Sequence, residues 1–353
     1  MTDLFLDIMA LIAPTNTEFA KIKVIGIGGG GSNAVDSMIG SNKIKNVEFV
    51  AVNTDAQALL YSQASNKLQI GSQYTKGLGS GGDPEIGRAS AEESRSALKE
   101  LFYDTNMVFI TAGMGGGTGT GATPIIAQEA KKQGALTVAV VTKPFAFEGN
   151  QRMYQAEEGI EELIQYADTH IIVPNENLIK VLDKEVTLAN AFKFADDVLG
   201  QGVRGISDLI TIPGQINADF ADVRNIMIDS GSLLMGLGEA SGVDRAKLAA
   251  KKAITSPLLE LSIEGAKGVV FNITAGSDVK LAEITEASKI ITDCADNDAT
   301  IIYGQTIDNT LGGMIKITVI ATGFKEKRDF SKLASQVDFS GDFEVPTFLR
   351  VAS

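Results

Sequence analysis

Short β-branched runs and longer stretches with apolar residues three or four apart take turns along the first half of the chain. Lys21 to Ile27 reads as a strand, the segment after Gly31 as a helix, and Val47 to Val52 as a second strand. A helix start near Pro84 leads into Ala89 to Leu101, which has helical spacing. Met107 to Ala112 is a buried strand, Ala122 to Lys132 a helix, and Leu136 to Thr142 another strand. Alternation with short connections predicts an α/β fold, a parallel sheet with helices on both faces. Leu188 to Leu209 reads as one long helix joining two domains. Beyond it, Asp244 to Ala253 and Leu281 to Ala295 read as helices, and Gly268 to Thr274, Ala299 to Tyr303 and Met314 to Thr322 as strands. These predict a smaller mixed α+β domain. Apolar patterning stops after Gly323, and 324–341 reads as a linker.

In parallel sheets ligands bind beyond the carboxyl ends of the strands. Three loops at that edge are rich in glycine: Gly26 to Asn33, Gly77 to Pro84, and Gly113 to Pro124. Six of the nine residues from Gly113 to Gly121 are glycine, directly after a buried strand. Backbone without side chains can approach a ligand, its amides can point inward, and a following helix adds its positive end. Thr118 and Thr120 add hydroxyls. The combination suits a polyphosphate held without lysine, and no G-x-x-x-x-G-K-[ST] stretch occurs. Taken alone, Gly26-x-Gly28-x-x-Gly31 also fits a dinucleotide site, with Glu48 or Asp55 as the ribose acid, or an ordinary strand-to-helix turn.

Composition narrows the partners. The chain has 353 residues, a net charge of −13, one cysteine (Cys294) and one histidine (His170). Such acidity argues against general nucleic-acid binding and against adhesion to anionic lipid. A lone cysteine excludes an intrachain disulfide and a cysteine-cluster metal site. His170 opens an apolar strand and reads as structural. No apolar run is long enough to span a membrane. The apolar start carries Asp3 and Asp7 and no basic residue, so residues 1–20 read as an arm rather than an export signal, and the cytoplasm is the expected compartment.

A series of separated motifs carries a resemblance: GIGGGGSNAV, AVNTDAQAL, TKGLGSGGDPEIGR, AGMGGGTGTGATP, VVTKPFAFEG, IPGQINADFADVR and ITAG. GGGTGTG between strand and helix resembles the signature of the tubulin/FtsZ superfamily, and the rest of the series narrows this to the FtsZ family of prokaryotic cell-division GTPases. The resemblance runs from about Lys21 to Gly323. It implies a Rossmann-like GTP-binding domain (21–187), a central helix (188–211) and an assembly domain (212–323). By the same resemblance Gly28, Gly29, Gly30, Gly31 and Asn33 touch the α- and β-phosphates. Gly113, Gly115, Gly116, Gly117, Thr118, Gly119, Thr120 and Gly121 wrap the phosphates, and Gly79 and Gly81 sense the γ-phosphate. Glu148 and Arg152 look like ribose and phosphate contacts; by spacing alone they are an i, i+4 ion pair. Asn175 is counted in the nucleotide site. Phe192 and Asp196, four apart, share a helix face with Asp197 close by. Family matching gives Phe192 the stacking role and Asp197 the guanine contact. Mg²⁺ is expected on the phosphates of GTP or GDP, held mainly by phosphate oxygens and water.

The group that handles water lies elsewhere. Asp219 and Asp222 are three apart where a loop enters a helix, which also fits plain N-capping by Asp219. In the FtsZ family this loop inserts into the next subunit's pocket, where Asn217, Asp219 and Asp222 orient attacking water. The resemblance therefore implies a head-to-tail homopolymer, a septal ring at midcell, and assembly-dependent hydrolysis. The stretch 342–353 resembles the family's C-terminal peptide, with Pro346, Phe348, Leu349 and Arg350 matching best, and implies a membrane-anchoring partner. Rival readings are a tubulin-like filament for cell shape or DNA segregation, a filament that has lost hydrolysis, and an NAD-dependent oxidoreductase built on Gly26 to Gly31.

Overall fold

The computed structural model describes residues 20–41, 44–179, 186–211, 219–255 and 263–324. The arm at 1–19, Asn217, the linker from 325 and the whole C-terminal peptide lie outside the described residues. Six parallel strands form the first half of the sheet: β1 (Ile22–Ile27), β2 (Glu48–Asn53), β3 (Asn66–Gln69), β4 (Met107–Gly113), β5 (Leu136–Lys143) and β6 (Thr169–Pro174). Between them run α1 (Gly28–Ser41), α2 (Ala56–Tyr61), α3 (Ser72–Thr75), α4 (Pro84–Glu93), α5 (Arg95–Phe102), α6 (Gly117–Lys132) and α7 (Asn150–Ile164). After the short α8 (Asn175–Ile179), α9 (Leu188–Thr211) runs 24 residues, about 36 Å. Then come α10 (Phe220–Met227), β7 (Gly231–Ser241), α11 (Arg245–Ile254), β8 (Gly268–Ala275), α12 (Leu281–Thr292), β9 (Thr300–Ile307) and β10 (Met314–Thr322).

The two halves share one ten-stranded sheet in the order β3-β2-β1-β4-β5-β6-β7-β10-β8-β9. The join is narrow: β6 meets β7 only through Thr169 opposite Gly231 and His170 opposite Ser232. Beyond it β10 runs antiparallel between β7 and β8, the mixed pattern expected of the second half.

Alternation along β1 and β4 explains the layers, because successive side chains point to opposite faces. Val24, Met107 and Phe109 join one core with Val35 and Met38 of α1 and Val198, Val203 and Ile206 of α9. Ile25, Ile27, Val108 and Ile110 join the other with Leu98, Ile126 and Ile160 of α5, α6 and α7. The α9 core also takes Leu233, Val270 and Ile320 of the second half, so one helix packs on both halves.

Two strands escape the sequence pattern. β3 (NKLQ) is a polar edge strand, mostly exposed. β7 reads GSLLMGLGEAS, without one β-branched residue. Its glycines are there for contact: a Cβ at Gly236 or Gly238 would run into the carbonyl oxygen of Ala253 or Ala249 in α11. The single helical stretch predicted across 89–101 is two helices, α4 and α5, meeting at Ser94.

Candidate functional site: two bare helix starts above the sheet

Two helices begin side by side without side-chain caps. α1 follows Ile27, whose side chain has no acceptor, and α6 follows Gly116, which makes no capping bond. By contrast Asp55, Asp83 and Asp219 cap α2, α4 and α10. Both bare helices start earlier than predicted, at Gly28 rather than after Gly31 and at Gly117 rather than Ala122. Glycine's poor helix propensity hides these first turns, whose N–H groups have no partner within the helix.

The glycines divide into two kinds. Some let the turns touch backbone to backbone. Gly28 has φ +69°, and a Cβ there would lie 2.9 Å from Gly119 N. A Cβ on Gly30 would lie 3.3 Å from Gly113 Cα, and one on Gly31 would strike Thr111 O. Others face open space: nothing among the described residues lies within 4 Å of a Cβ at Gly29 or Gly116. Two positive helix ends thus converge on an open floor, which favours an anion.

Thr118 and Thr120 are buried, and their hydroxyls have protein partners. The Thr118 hydroxyl is 2.7 Å from that of Thr54 and 3.1 Å from that of Ser80, while Thr120 Oγ1 accepts from Gly115 N at 2.8 Å. They brace the loops together. Through Ser80 the loop from Gly77 to Pro84, with Gly79 and Gly81 at positive φ, rests against the start of α6. Gly79 and Gly81 stand beside the cleft rather than in its lining.

The cleft over the bare helix starts has a volume of about 450 Å³ and takes in Gly29, Gly30, Asn33, Gly113 and Gly116. Its far wall holds Glu148, Arg152, Asn175 and Phe192. Glu148 and Arg152 form the i, i+4 ion pair at 2.6 Å, and Glu148 also accepts from Phe145 N at 2.9 Å. Asn175 opens α8 at the end of β6; it is buried, and its Oδ1 finds no partner among the described residues. An acceptor left bare in a polar cleft fits a ligand donor. Phe192 is 39% exposed and meets Phe145 and Phe147 edge to face, with centroids 5.3 and 6.4 Å away. The rings of Phe145 and Phe147 stack on each other at 5.1 Å. Phe147 is exposed beside Phe192, an aromatic that the sequence reading did not single out.

The cleft lining differs at one position from the residue that family matching picks. The carboxylate that shares the cleft with Phe192 is Asp196, not Asp197. Each residue turns a helix by about 100°, so position i+4 returns to the face of Phe192 and i+5 does not. Asp197 instead lines the adjoining cleft with Arg204, Glu239 and Lys316, and accepts from the Ser37 hydroxyl at 3.2 Å. Burial, and then the charge of Asp197, push the Asp196 carboxyl from 3.8 up to about 7. The folded protein therefore holds a proton that the unfolded chain has released, and its ligand-free stability falls as pH rises from 3.8 to about 7. Asp196→Asn is expected to flatten that part of the curve; melting temperature across this pH range is the check.

Asp219 and Asp222 lie at the opposite edge of the sheet. Asp219 caps α10 by accepting from Asp222 N at 2.8 Å, and both residues are exposed. The Arg224 guanidinium of α10 donates to Gly134 O at 3.4 Å, just before the first residue of β5. The cleft takes Thr142, at the other end of that strand. Eight residues of strand, roughly 25 Å, separate the two. These carboxylates cannot reach the cleft of their own chain.

Residues 21–183 match the family model described as Tubulin/FtsZ family, GTPase domain, and residues 231–325 that described as FtsZ family, C-terminal domain. Among solved structures, an empty FtsZ dimer from M. jannaschii is 42% identical, covers 91% of this chain and 92% of its own, and superimposes with a TM-score of 0.81. A GDP-bound CetZ1 monomer from Haloferax volcanii has 19% identity, 89% and 98% coverage and a TM-score of 0.74, a likeness of fold.

Proposed function

The chain belongs to the FtsZ family and is a GTPase, and from that premise we propose that it hydrolyses GTP only between successive subunits of a head-to-tail filament. The observation that carries the reading is the distance across the sheet between the cleft and Asp222. A heterologous contact brings one subunit's α10 edge to the next subunit's cleft, and repetition without closure makes a filament. In this reading the bare N–H groups at Gly28–Gly31 and Gly116–Gly119 hold the phosphates. Phe192 stacks on the base, and Asp196, once ionised, accepts from guanine N1–H and N2–H, donors that adenine lacks. Asp222 and Asp219, with Asn217 beside them in sequence, orient the attacking water. Mg²⁺ bound to the phosphates, held mainly by their oxygens and water, would neutralise phosphate charge. Among the described residues no group of three or more His, Cys, Asp or Glu could hold a metal ion.

The working division is a GTP-binding part at 21–187, the central helix at 188–211 and an assembly part at 212–323. Loss of the γ-phosphate at the contact would loosen the filament. The cellular role is division-ring formation, with 346–350 docking on a membrane-anchoring partner. GTPase membership sets aside the oxidoreductase reading of Gly26 to Gly31.

Phosphate release per molecule, measured against protein concentration, tests the shared site. The expected curve is near zero when dilute and rises beyond a threshold that coincides with sedimentation. A flat curve would mean a self-contained site.

A further inference from the structure

The short helix that carries Asp222 is held from an unexpected quarter. α10 has eight residues, and Val223 and Met227 sink into the core. Among the described residues, its polar ties on the GTP-binding side run to the C-terminal end of α6. Both terminal nitrogens of Arg224 point at Gly134 O, each at 3.4 Å, two residues past that helix. Asp229, two residues past α10, pairs with Lys131 Nζ at 2.6 Å, in the last turn of α6. Lys131 also reaches the buried Asp168 at 2.9 Å, whose other oxygen accepts from Thr137 N at 2.8 Å. One ammonium thus gathers a carboxylate from each half of the chain, at a helix end whose dipole favours a cation. The other end of α6 is the phosphate floor.

We propose that Arg224, Lys131 and Asp229 are positioning residues for hydrolysis. They seat α10 on the foot of α6, so that Asp222 stands correctly for the neighbouring subunit's nucleotide. The inference rests on the shared-site reading given above. α6 is 16 residues long, about 24 Å, and connects a subunit's own phosphates to the carboxylate it lends. Burial of Val223 and Met227 fixes α10 against the core, while the polar clamp fixes its tilt. Tilt matters because a displacement of about 1 Å at a reacting group can cost on the order of a hundredfold in rate.

The test uses the full-length chain with Asp229→Asn, Arg224→Gln, Arg224→Lys and Asp222→Ala. Asp229 is exposed and has φ +48°, a conformation that asparagine tolerates, so the first substitution removes charge and leaves the backbone alone. GTP affinity of the dilute protein, the sedimenting fraction, and phosphate release per sedimented subunit are measured together. The Asp229→Asn/Arg224→Gln double variant is expected to bind and sediment like the parent. It should release phosphate on the order of tenfold more slowly per sedimented subunit. Arg224→Lys, which can still donate to Gly134 O, should retain most of the rate. Parent-like turnover in the double variant, with Asp222→Ala silent, overturns the positioning role and leaves the shared site standing. Loss of sedimentation with unchanged turnover per sedimented subunit makes the contacts structural and also overturns it. An active Asp222→Ala protein overturns the shared site itself.

Discussion

Asp222→Ala is expected to bind GTP as the parent does and to release phosphate on the order of a hundredfold more slowly, or less, at every protein concentration. The two halves of that result have separate causes. Binding survives because the residue lies a strand's length away from its own cleft. In the proposed shared site, turnover is expected to fail because the neighbour's γ-phosphate would lose the carboxylate that orients water. Stability should move by no more than about 0.5 kcal/mol, since the side chain is exposed and the capping bond to Asp219 uses the backbone N–H. Asp219 differs. It caps α10, so Asp219→Ala should cost about 1 kcal/mol of stability as well as turnover. Asp219→Ser keeps a capping oxygen and separates the two effects. Phosphate release and a thermal melt on the three proteins suffice. Parent-like hydrolysis in Asp222→Ala would remove this carboxylate from the mechanism.

A pair of glycine substitutions five residues apart should fail in opposite ways. A Cβ at Gly121 runs into Pro84 O and lies 2.7 Å from Arg88 N, so α4 must move off α6. The same interface is tight at Gly87, whose Cβ would lie 3.0 Å from Thr118 Cα. Forcing a methyl into such packing costs about 1–3 kcal/mol, so Gly121→Ala should lower the melting temperature by several degrees. At Gly116 a Cβ meets nothing among the described residues within 4 Å, and φ is −90°, which alanine adopts freely. Gly116→Ala should melt like the parent, while its methyl occupies the floor where the N–H groups of α6 look out. GTP affinity should fall by at least about tenfold, more than 1.4 kcal/mol. Nucleotide titration beside a melt separates the two. If Gly116→Ala binds GTP normally, the phosphates do not sit on the start of α6.

Much of this protein is legible along the chain. The runs at Val24–Ile27, Val50–Val52 and Val108–Ile110 are apolar at successive positions, because both faces of those strands are buried. That alone predicts parallel strands under two helical layers. Glycine clusters between a buried strand and a helix predict an anion floor, because backbone without side chains lets amides face a ligand. The resemblance then supplied the guanine nucleotide and the roles of the loops.

Tertiary structure decided what depends on partners distant in sequence. β7 forms although its residues disfavour strands, because Gly236 and Gly238 let α11 approach to backbone contact. Asp196 rather than Asp197 enters the cleft, since the rotation of α9 is set by Val198, Leu199 and Val203 packing on the sheet. Glu148 and Arg152 pair as their spacing alone suggests, and only the fold turns that pair toward the cleft. Apart from β3 and β7, the strands are legible along the chain, and so are the glycine loops and the chemistry that they can offer. Which edge of the sheet each group occupies was decided by the fold. Local periodicity records whether a side chain is buried, whereas the end of the molecule it reaches depends on strand direction and on contacts made a hundred residues away.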